Sequence, residues 1–156
     1  GWELDENMFA AITDLKVPYI LMHMKGTPQT MQNNPEYTDI TLEVNEYFSQ
    51  KIAQLKAAKV KDIILDPGFG FAKTLDHNYE LFSKIETLGF CEFPLLVGVS
   101  RKSMIYNLFE TTPQEALNGT SVLNMVALQK GAKILRVHDV KEAKETLLIF
   151  QKLNQK

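Results

Sequence analysis

Short apolar runs alternate with amphipathic segments along the whole of this chain. Four of the runs are almost continuously hydrophobic, which is typical of strands buried on both faces of a parallel sheet. A turn signal, Pro67-Gly68, directly follows the second run and marks where that strand stops. The runs predict strands over residues 18–24, 62–66, 94–99 and 133–137.

Between these runs, apolar residues recur every three or four positions, which is the spacing of an amphipathic helix. Asp5 and Glu6 suit the start of the first helix. Gly89 and Gly131 suit the ends of two later ones. The spacing predicts helices over residues 8–15, 36–58, 78–88, 113–131 and 140–153.

Helices and strands that alternate without hairpin signals predict an α/β fold with a parallel sheet and crossover helices. No linker or low-complexity segment interrupts the pattern, so residues 1–156 are expected to form a single domain. Two architectures fit: an open doubly wound sheet, or part of a (β/α)8 barrel. Both build their sites beyond the carboxyl ends of the strands, and the polar clusters of this chain lie there.

Composition narrows the classes of function. Seventeen basic and nineteen acidic residues give a net charge of −2, with no basic stripe of the kind that binds nucleic acid. The apolar stretches are strand-sized and no signal peptide is present, so no membrane association is expected. Cys91 is the single cysteine, which excludes an internal disulfide and favours a reducing, cytoplasmic location.

The second predicted strand ends at Asp66, and a glycine-rich turn with Phe69 and Phe71 follows it. A carboxylate fixed at a strand end can accept two parallel N–H bonds from an amidine-like edge such as that of a 2-aminopyrimidine ring. Either aromatic ring suits the wall of such a pocket. The alternative is that Asp66 only caps the turn and both rings belong to the core. Neither a P-loop nor a GxGxxG pattern is present, because Ala72 and Lys73 stand where glycines are needed.

The third predicted strand is followed by two cations and two hydroxyl groups within residues 98–103. This set suits a polar anchor for a substrate, and the alternative is an ordinary solvated loop. Ser100 is a poor candidate for a nucleophile, because Lys102 occupies the last glycine position of the GxSxG pattern.

The fourth predicted strand ends in Arg136 and His138. Side chains two positions apart on a strand share a face, so these two are expected to point into the same site at the carboxyl ends of the strands. Asp139 suits the cap of the following helix, whose free N–H groups add partial positive charge. Arginine, histidine and a helix N-terminus together favour a phosphate site. The alternative is an ordinary ion pair between Arg136 and a neighbour.

The first predicted strand ends near His23. No second ligand accompanies it at metal-binding spacing, so His23 is expected to be a satisfied strand-end histidine and not a metal ligand. Met22 and Met24 suit either an apolar pocket or the core. Together the clusters predict one site for a flat polar heterocycle that carries an anionic group. Its key members are Asp66, Lys102, Arg136 and His138.

Four segments in order along the chain closely resemble the dihydropteroate synthases. They are LMHMKGTPQTMQ (21–32), LDPGFGFAKT (65–74), GVSRKS (98–103) and RVHDV (136–140). The resemblance spans nearly the whole chain. It implies a (β/α)8 (TIM) barrel transferase of folate biosynthesis. Such an enzyme condenses hydroxymethyl-dihydropterin diphosphate with p-aminobenzoate and releases diphosphate, with magnesium bound mainly through that diphosphate.

The same resemblance implies roles for individual residues. It assigns the pterin pocket to Asp66, Lys102, Phe71, Gly98 and Met22, the diphosphate to Arg136 and His138, and the p-aminobenzoate side to Ser103. The reaction would be a substitution at the methylene carbon beside the pterin ring. It needs a positioned amine and a stabilised leaving group, and no covalent nucleophile.

A full barrel of this kind needs about 250 residues and eight strands. The four predicted strands resemble strands five to eight, so the chain is expected to be the C-terminal half of the barrel and inactive alone. The protein ligand of magnesium and the p-aminobenzoate loops would belong to the other half. Two unpaired strand edges predict a homo-oligomer.

Two other functions stay open at the level of sequence. A pterin-binding methyltransferase domain shares the barrel and the pterin carboxylate, although it has less use for a diphosphate pocket. A non-enzymatic module would hold a pterin or a phosphate without reaction. The expected partners are small molecules in every case.

Overall fold

A computed structural model of the chain describes residues 5, 7–26 and 35–155. Within those ranges, strands and helices alternate as the sequence pattern predicts. The strands are β1 (Tyr19–Met22), β2 (Ile63–Asp66), β3 (Leu96–Val97) and β4 (Ile134–Leu135). The α-helices are α1 (Met8–Leu15), α2 (Ile40–Ala57), α3 (Leu75–Ser83), α4 (Ser103–Tyr106), α5 (Leu117–Gln129) and α6 (Val140–Leu153).

The four strands are parallel and follow one another in chain order. β1 pairs with β2 in a register that places Met22 beside Asp66, and β3 pairs with β4. A bridge between Leu65 and Leu95, with the Leu65 N–H donating to the Pro94 carbonyl at 2.9 Å, joins the two pairs. This sequential order favours the barrel architecture, because a doubly wound sheet reverses its strand order at a switch point.

One face of the sheet carries the hydrophobic core. Leu21 and Leu65 are fully buried there, together with Val44 and Phe48 of α2. The prediction that the first strand is buried on both faces is wrong, because Ile20 is 47% exposed. The apolar run does form a strand, but within the described residues its second face is open.

The helix predicted over residues 78–88 is wrong in its bounds. α3 begins at Leu75 because the Thr74 hydroxyl accepts from the His77 N–H at 3.1 Å, while the His77 ring accepts from the Thr74 N–H at 3.3 Å. This reciprocal cap fixes the first turn. After Ser83 the chain continues as a 3₁₀ helix, Ile85–Cys91, which runs through Gly89 and does not end there.

The helix predicted over residues 113–131 is also divided. A 3₁₀ helix, Pro113–Glu115, precedes α5, because proline favours a helical first position but supplies no N–H to a longer ladder. The helix predicted over 36–58 begins later, at Ile40, where Asp39 caps the Leu42 N–H at 2.9 Å. Of the helices in the described ranges, none is both long and apolar enough to cross a membrane.

Candidate substrate-binding site

Asp66 stands at the tip of β2 with its carboxylate half-buried. Its Oδ1 accepts the Gly68 N–H at 2.8 Å, so the turn fixes the side chain, and no other described residue donates a hydrogen bond to the carboxylate. Burial raises the pKa of Asp66, and the nearby cations Lys102, Lys73 and Arg136 oppose that rise. A carboxylate in this setting is well suited to accept charge-assisted hydrogen bonds from a ring.

The turn after Asp66 separates its two aromatic rings. Phe69 is fully buried and packs on Phe82, with ring centroids 5.5 Å apart, so it belongs to the core. Phe71 remains half-buried, with Lys102 Nζ 5.0 Å from its ring centroid. The sequence left either ring open as the wall of the pocket, and the geometry favours Phe71.

Lys102 reaches across from the loop after β3 to the loop after β2. Its Nζ donates to the Phe69 carbonyl, and burial lowers the pKa of this lysine while the carboxylate of Asp66 opposes that shift. The approach is close, since a Cβ on Gly70 would lie 3.4 Å from the Lys102 side chain. Asp66, Phe71 and Lys102 therefore come together at one place.

Lys73 is a member of this cluster to which the sequence pattern assigned no role. Its Nζ donates to the carbonyls of Gly68 and Phe71 at 3.0 and 3.1 Å and lies 3.0 Å from Nδ1 of His23. Burial lowers the pKa of Lys73 to about 7. The sequence could have indicated this role only through the position of a lysine in a glycine-rich turn beside Asp66. The contacts themselves form only in the folded turn, where two backbone carbonyls face the amine.

His23 is the satisfied strand-end histidine that the sequence predicts. It is 4% exposed and its ring meets that of Tyr47 edge-on at 5.1 Å. Burial, together with the charges of Lys73 and Lys25, lowers its pKa to about 3. The ring is therefore neutral near pH 7, and its Nδ1 lies within hydrogen-bond distance of Lys73 Nζ.

Acidification is expected to destabilise the chain through His23. The unfolded ring takes up a proton near pH 6.5, whereas the folded ring does so only near pH 3. The His23 contribution to the free energy of unfolding is therefore lost as pH falls through this window, by about 1.4 kcal/mol per unit. In His23→Asn, the amide oxygen replaces Nδ1 without titrating, so the slope should flatten in urea unfolding between pH 6.5 and 4. Equal slopes for the two proteins would contradict this assignment.

Arg136 and His138 follow β4. The Arg136 N–H donates to the Val97 carbonyl at 2.9 Å, and its side chain is exposed above Gly98, where an added Cβ would lie 3.5 Å from Arg136 Cβ. The buried Ser100 hydroxyl accepts the His138 N–H at 3.1 Å and contacts its Nδ1 at 3.0 Å. Ser100 thus holds the imidazole in place and leaves Nε2 for another partner.

Asp139 does not cap α6, contrary to the expectation from sequence. No side-chain bond reaches the first turn of that helix. The carboxylate instead pairs with Arg101 through two hydrogen bonds of 2.8 Å each. A bidentate guanidinium is a stronger partner for a carboxylate than a backbone N–H, which explains the difference.

The remaining predicted residues lie at the margins of the cluster. Met22 is half-buried in register with Asp66, and its Cγ would lie 3.4 Å from a Cβ on Gly68. Ser103 begins α4 and lines a cleft of about 420 Å³ with Gly70 and Lys73. The short helix α4 was not predicted, and it places Ser103 beside the glycine-rich turn. Across the described ranges, no three His, Cys, Asp or Glu side chains group closely enough to hold a metal ion.

The chain is similar in sequence and in structure to known dihydropteroate synthases, the proteins that its motifs resemble. The chain is 44% identical over 143 residues to the dihydropteroate synthase of Escherichia coli, a match that covers 90% of this chain and 51% of that protein. The crystal structure of the Yersinia pestis dihydropteroate synthase in complex with a sulfonamide drug superposes with a TM-score of 0.93 at 40% identity, covering 97% of this chain and 56% of that one. The crystal structure of the Thermus thermophilus dihydropteroate synthase in complex with 4-aminobenzoate superposes with a TM-score of 0.91 at 34% sequence identity. This match covers 97% of this chain and 62% of that one.

These similarities confirm the predicted fold, an α/β chain that forms part of a (β/α)8 barrel. The chain spans about half the length of the curated relatives it matches. The sequence profile of pterin binding enzymes matches residues 1–138, which is most of the chain. The chain therefore belongs to the family of pterin binding enzymes.

Proposed function

We propose that this chain supplies the pterin and diphosphate subsites of a dihydropteroate synthase. The observation that carries the proposal is the convergence of two different kinds of group at adjacent strand ends. A carboxylate, a lysine and an aromatic ring meet after β2 and β3, and an exposed arginine and histidine follow β4. The names of the relatives support the same activity.

At the pterin end, Asp66 would accept two N–H bonds from the aminopyrimidine edge of the ring. Lys102 would donate to the polar edge of the ring system, and Phe71 would cover the ring plane. Met22 and Gly98 would line the pocket. The Gly68 N–H bond at 2.8 Å supports the role of Asp66, because it fixes one oxygen before the ligand arrives.

At the anion end, Arg136 and His138 would bind the diphosphate. The Arg136 guanidinium is exposed, and none of the ion pairs within the described residues includes it. That observation speaks against the alternative of an ordinary ion pair. Ser100 orients His138 through two contacts, which leaves the imidazole ready to meet an anion.

The proposed reaction joins the amine of p-aminobenzoate to the methylene carbon of the pterin while the bond from that carbon to the diphosphate breaks. Arg136 and His138 would stabilise the charge that develops on the departing diphosphate. Ser103, at the start of α4, would lie on the p-aminobenzoate side, as the resemblance implies. The solved complex of the Thermus thermophilus relative with 4-aminobenzoate supports p-aminobenzoate as the second substrate. Magnesium, when bound, would neutralise part of the diphosphate charge.

Magnesium held mainly through the substrate diphosphate, as the resemblance implies, is part of this proposal. Because the chain spans about half of its relatives, we expect it to form no dihydropteroate by itself. Two further predictions remain: self-association through the open edges of β1 and β4, and a cytoplasmic location.

The decisive experiment compares hydroxymethylpterin with its diphosphate as ligands of the 156-residue chain. We expect the diphosphate to bind about 100-fold more tightly, and Arg136→Ala to remove most of that difference, because each charge-assisted contact contributes roughly tenfold. Titration calorimetry gives both constants. Lys133→Ala is the matched control, since Lys133 is an exposed cation just before the opposite end of β4.

Equal affinity for the two ligands, unchanged in Arg136→Ala, would favour a pterin-binding methyltransferase domain instead. Binding of diphosphate alone, with none of the pterin, would favour a phosphate-binding module. A turnover assay with p-aminobenzoate and magnesium accompanies the titrations. Dihydropteroate formed by the chain alone would support the synthase and contradict the expectation that this half is inactive.

A further inference from the structure

The ion pair between Arg101 and Asp139 joins the loop after β3 to the start of α6. Arg101 Nε and Nη2 each donate to one carboxylate oxygen of Asp139 at 2.8 Å. The two side chains are 26% and 19% exposed, so both are largely shielded from solvent. These hydrogen bonds hold the pKa of Asp139 below its ordinary value, and the carboxylate is therefore ionised.

Arg101 is fixed from several sides. Its Nη1 donates to the carbonyls of Pro113 and Gln114 at 3.0 and 2.8 Å, and its backbone N–H donates to the Thr120 hydroxyl at 3.1 Å. Its φ of +54° lies in the left-handed region, which a non-glycine residue adopts only when its surroundings hold it there. The guanidinium is therefore a rigid support and not a freely moving surface charge.

Along the chain, both members of the pair adjoin residues of the proposed substrate site. Arg101 directly follows Ser100, which holds His138, and directly precedes Lys102. Asp139 directly follows His138 and occupies the N-cap position of α6. A carboxylate released at this point would bring a negative charge next to Arg136 and His138 and could bond the first N–H groups of the helix.

We propose that Arg101 is a positioning residue that holds Asp139 away from the N-terminus of α6 and neutralises it, so that the site beside Arg136 and His138 accepts an anion. The inference rests on the proposed function, because it concerns the diphosphate end of that site. Arg101 has no assigned role at the pterin end of the site, and this inference gives it one at the diphosphate end. It also explains why an acidic residue can stand beside an anion site.

The role of Arg101 is tested by removing its positive charge alone and then together with the negative charge of Asp139. With inorganic diphosphate as the probe and calorimetry on the whole chain, we expect Arg101→Gln to weaken binding by about tenfold, because an unpaired carboxylate then faces the anion. The double variant Arg101→Gln/Asp139→Asn should recover most of the loss, and Asp139→Asn alone should bind at least as well as the unaltered chain. Lys130→Gln, which breaks a distant pair with Glu86 at 2.9 Å, controls for the loss of one cation.

A second measurement needs no ligand. In ¹⁵N–¹H correlation spectra, the N–H signals of Lys141 and Glu142 in the first turn of α6 should shift in Arg101→Gln, as the released carboxylate caps the helix. They should return toward their original positions in Arg101→Gln/Asp139→Ala, because alanine has no side-chain oxygen to cap the helix. Thermal unfolding of each variant establishes that the comparison concerns folded protein.

A double variant that binds diphosphate as weakly as Arg101→Gln, or N–H signals that stay in place, would overturn the inference and make Arg101 a support of the loop only. That result would leave the proposed function intact. If the unaltered chain bound no diphosphate, the anion site itself would be refuted and the inference would fail with it. Arg136→Ala separates the two cases, because it removes an anion contact and leaves the Arg101 pair unchanged.

Discussion

The Asp66→Asn variant is expected to bind hydroxymethylpterin about 100-fold more weakly than the unaltered chain. The amide keeps an oxygen for the Gly68 N–H, so the turn retains its 2.8 Å bond. The other carboxylate oxygen becomes an NH₂ group, which opposes the N–H edge of the pterin instead of accepting from it. Losing one charge-assisted bond and leaving another donor unpaired together amount to roughly two powers of ten.

The loss can be measured through quenching of the intrinsic fluorescence of the pterin. Asp62→Asn makes the same chemical change at an exposed residue just before β2, at the opposite end of the strand, and should leave binding unchanged. Unfolding in urea should show similar stability for both variants. If Asp66→Asn bound the pterin within about threefold of the unaltered chain, Asp66 would be only the turn cap that its sequence position also allowed.

The Gly68→Ala variant is expected to lose roughly 3 kcal/mol of stability or more, because a positive φ and a backbone clash coincide at this position. Gly68 has a φ of +67°, and a Cβ there would lie 2.0 Å from the carbonyl oxygen of His23. That oxygen belongs to the backbone directly after β1, where the His23 N–H donates to the Asp66 carbonyl at 2.9 Å. Neither strand end can move without breaking this pairing, so the strain cannot be relieved by rotation of a side chain.

Gly131→Ala is the matched control for Gly68→Ala. Gly131 also has a positive φ, +93°, but a Cβ there would meet nothing within 4 Å. Its replacement should cost about 1 kcal/mol, which is the conformational penalty alone. Urea midpoints of the two variants give the difference directly. Equal losses would show that the contact with His23 is relieved at little cost, and that the turn after Asp66 is softer than its geometry indicates.

The two largest expected effects come from residues that lie close together in one turn. Gly68 allows the chain to pass close behind His23, and Asp66 presents its carboxylate from the resulting position. Lys73 stabilises the same turn by donating hydrogen bonds to the Gly68 and Phe71 carbonyls. The turn that presents Asp66 to the pterin end of the proposed site is therefore rigid and supported from both sides, which is the preorganisation that ligand positioning requires.

Apart from the short helix α4 and the 3₁₀ segments, the order of strands and helices followed from the sequence by itself, as did the placement of polar clusters at the strand ends. Apolar runs and helical spacing are local signals, and parallel strands bring their carboxyl ends to the same edge whatever the details of packing. Asp66, Lys102 and His138 were therefore predicted as site candidates from their positions in the chain. His23 was also predicted correctly as a satisfied histidine, because no second ligand accompanied it.

Only the tertiary structure decided which neighbours these residues have. Phe69 and Phe71 look alike in sequence, yet one is core and the other lies beneath Lys102. Asp139 has every local feature of a helix cap, and it pairs instead with Arg101, 38 residues earlier in the chain. Burial and partner choice depend on contacts between segments that are distant in sequence, and periodicity carries no information about those contacts.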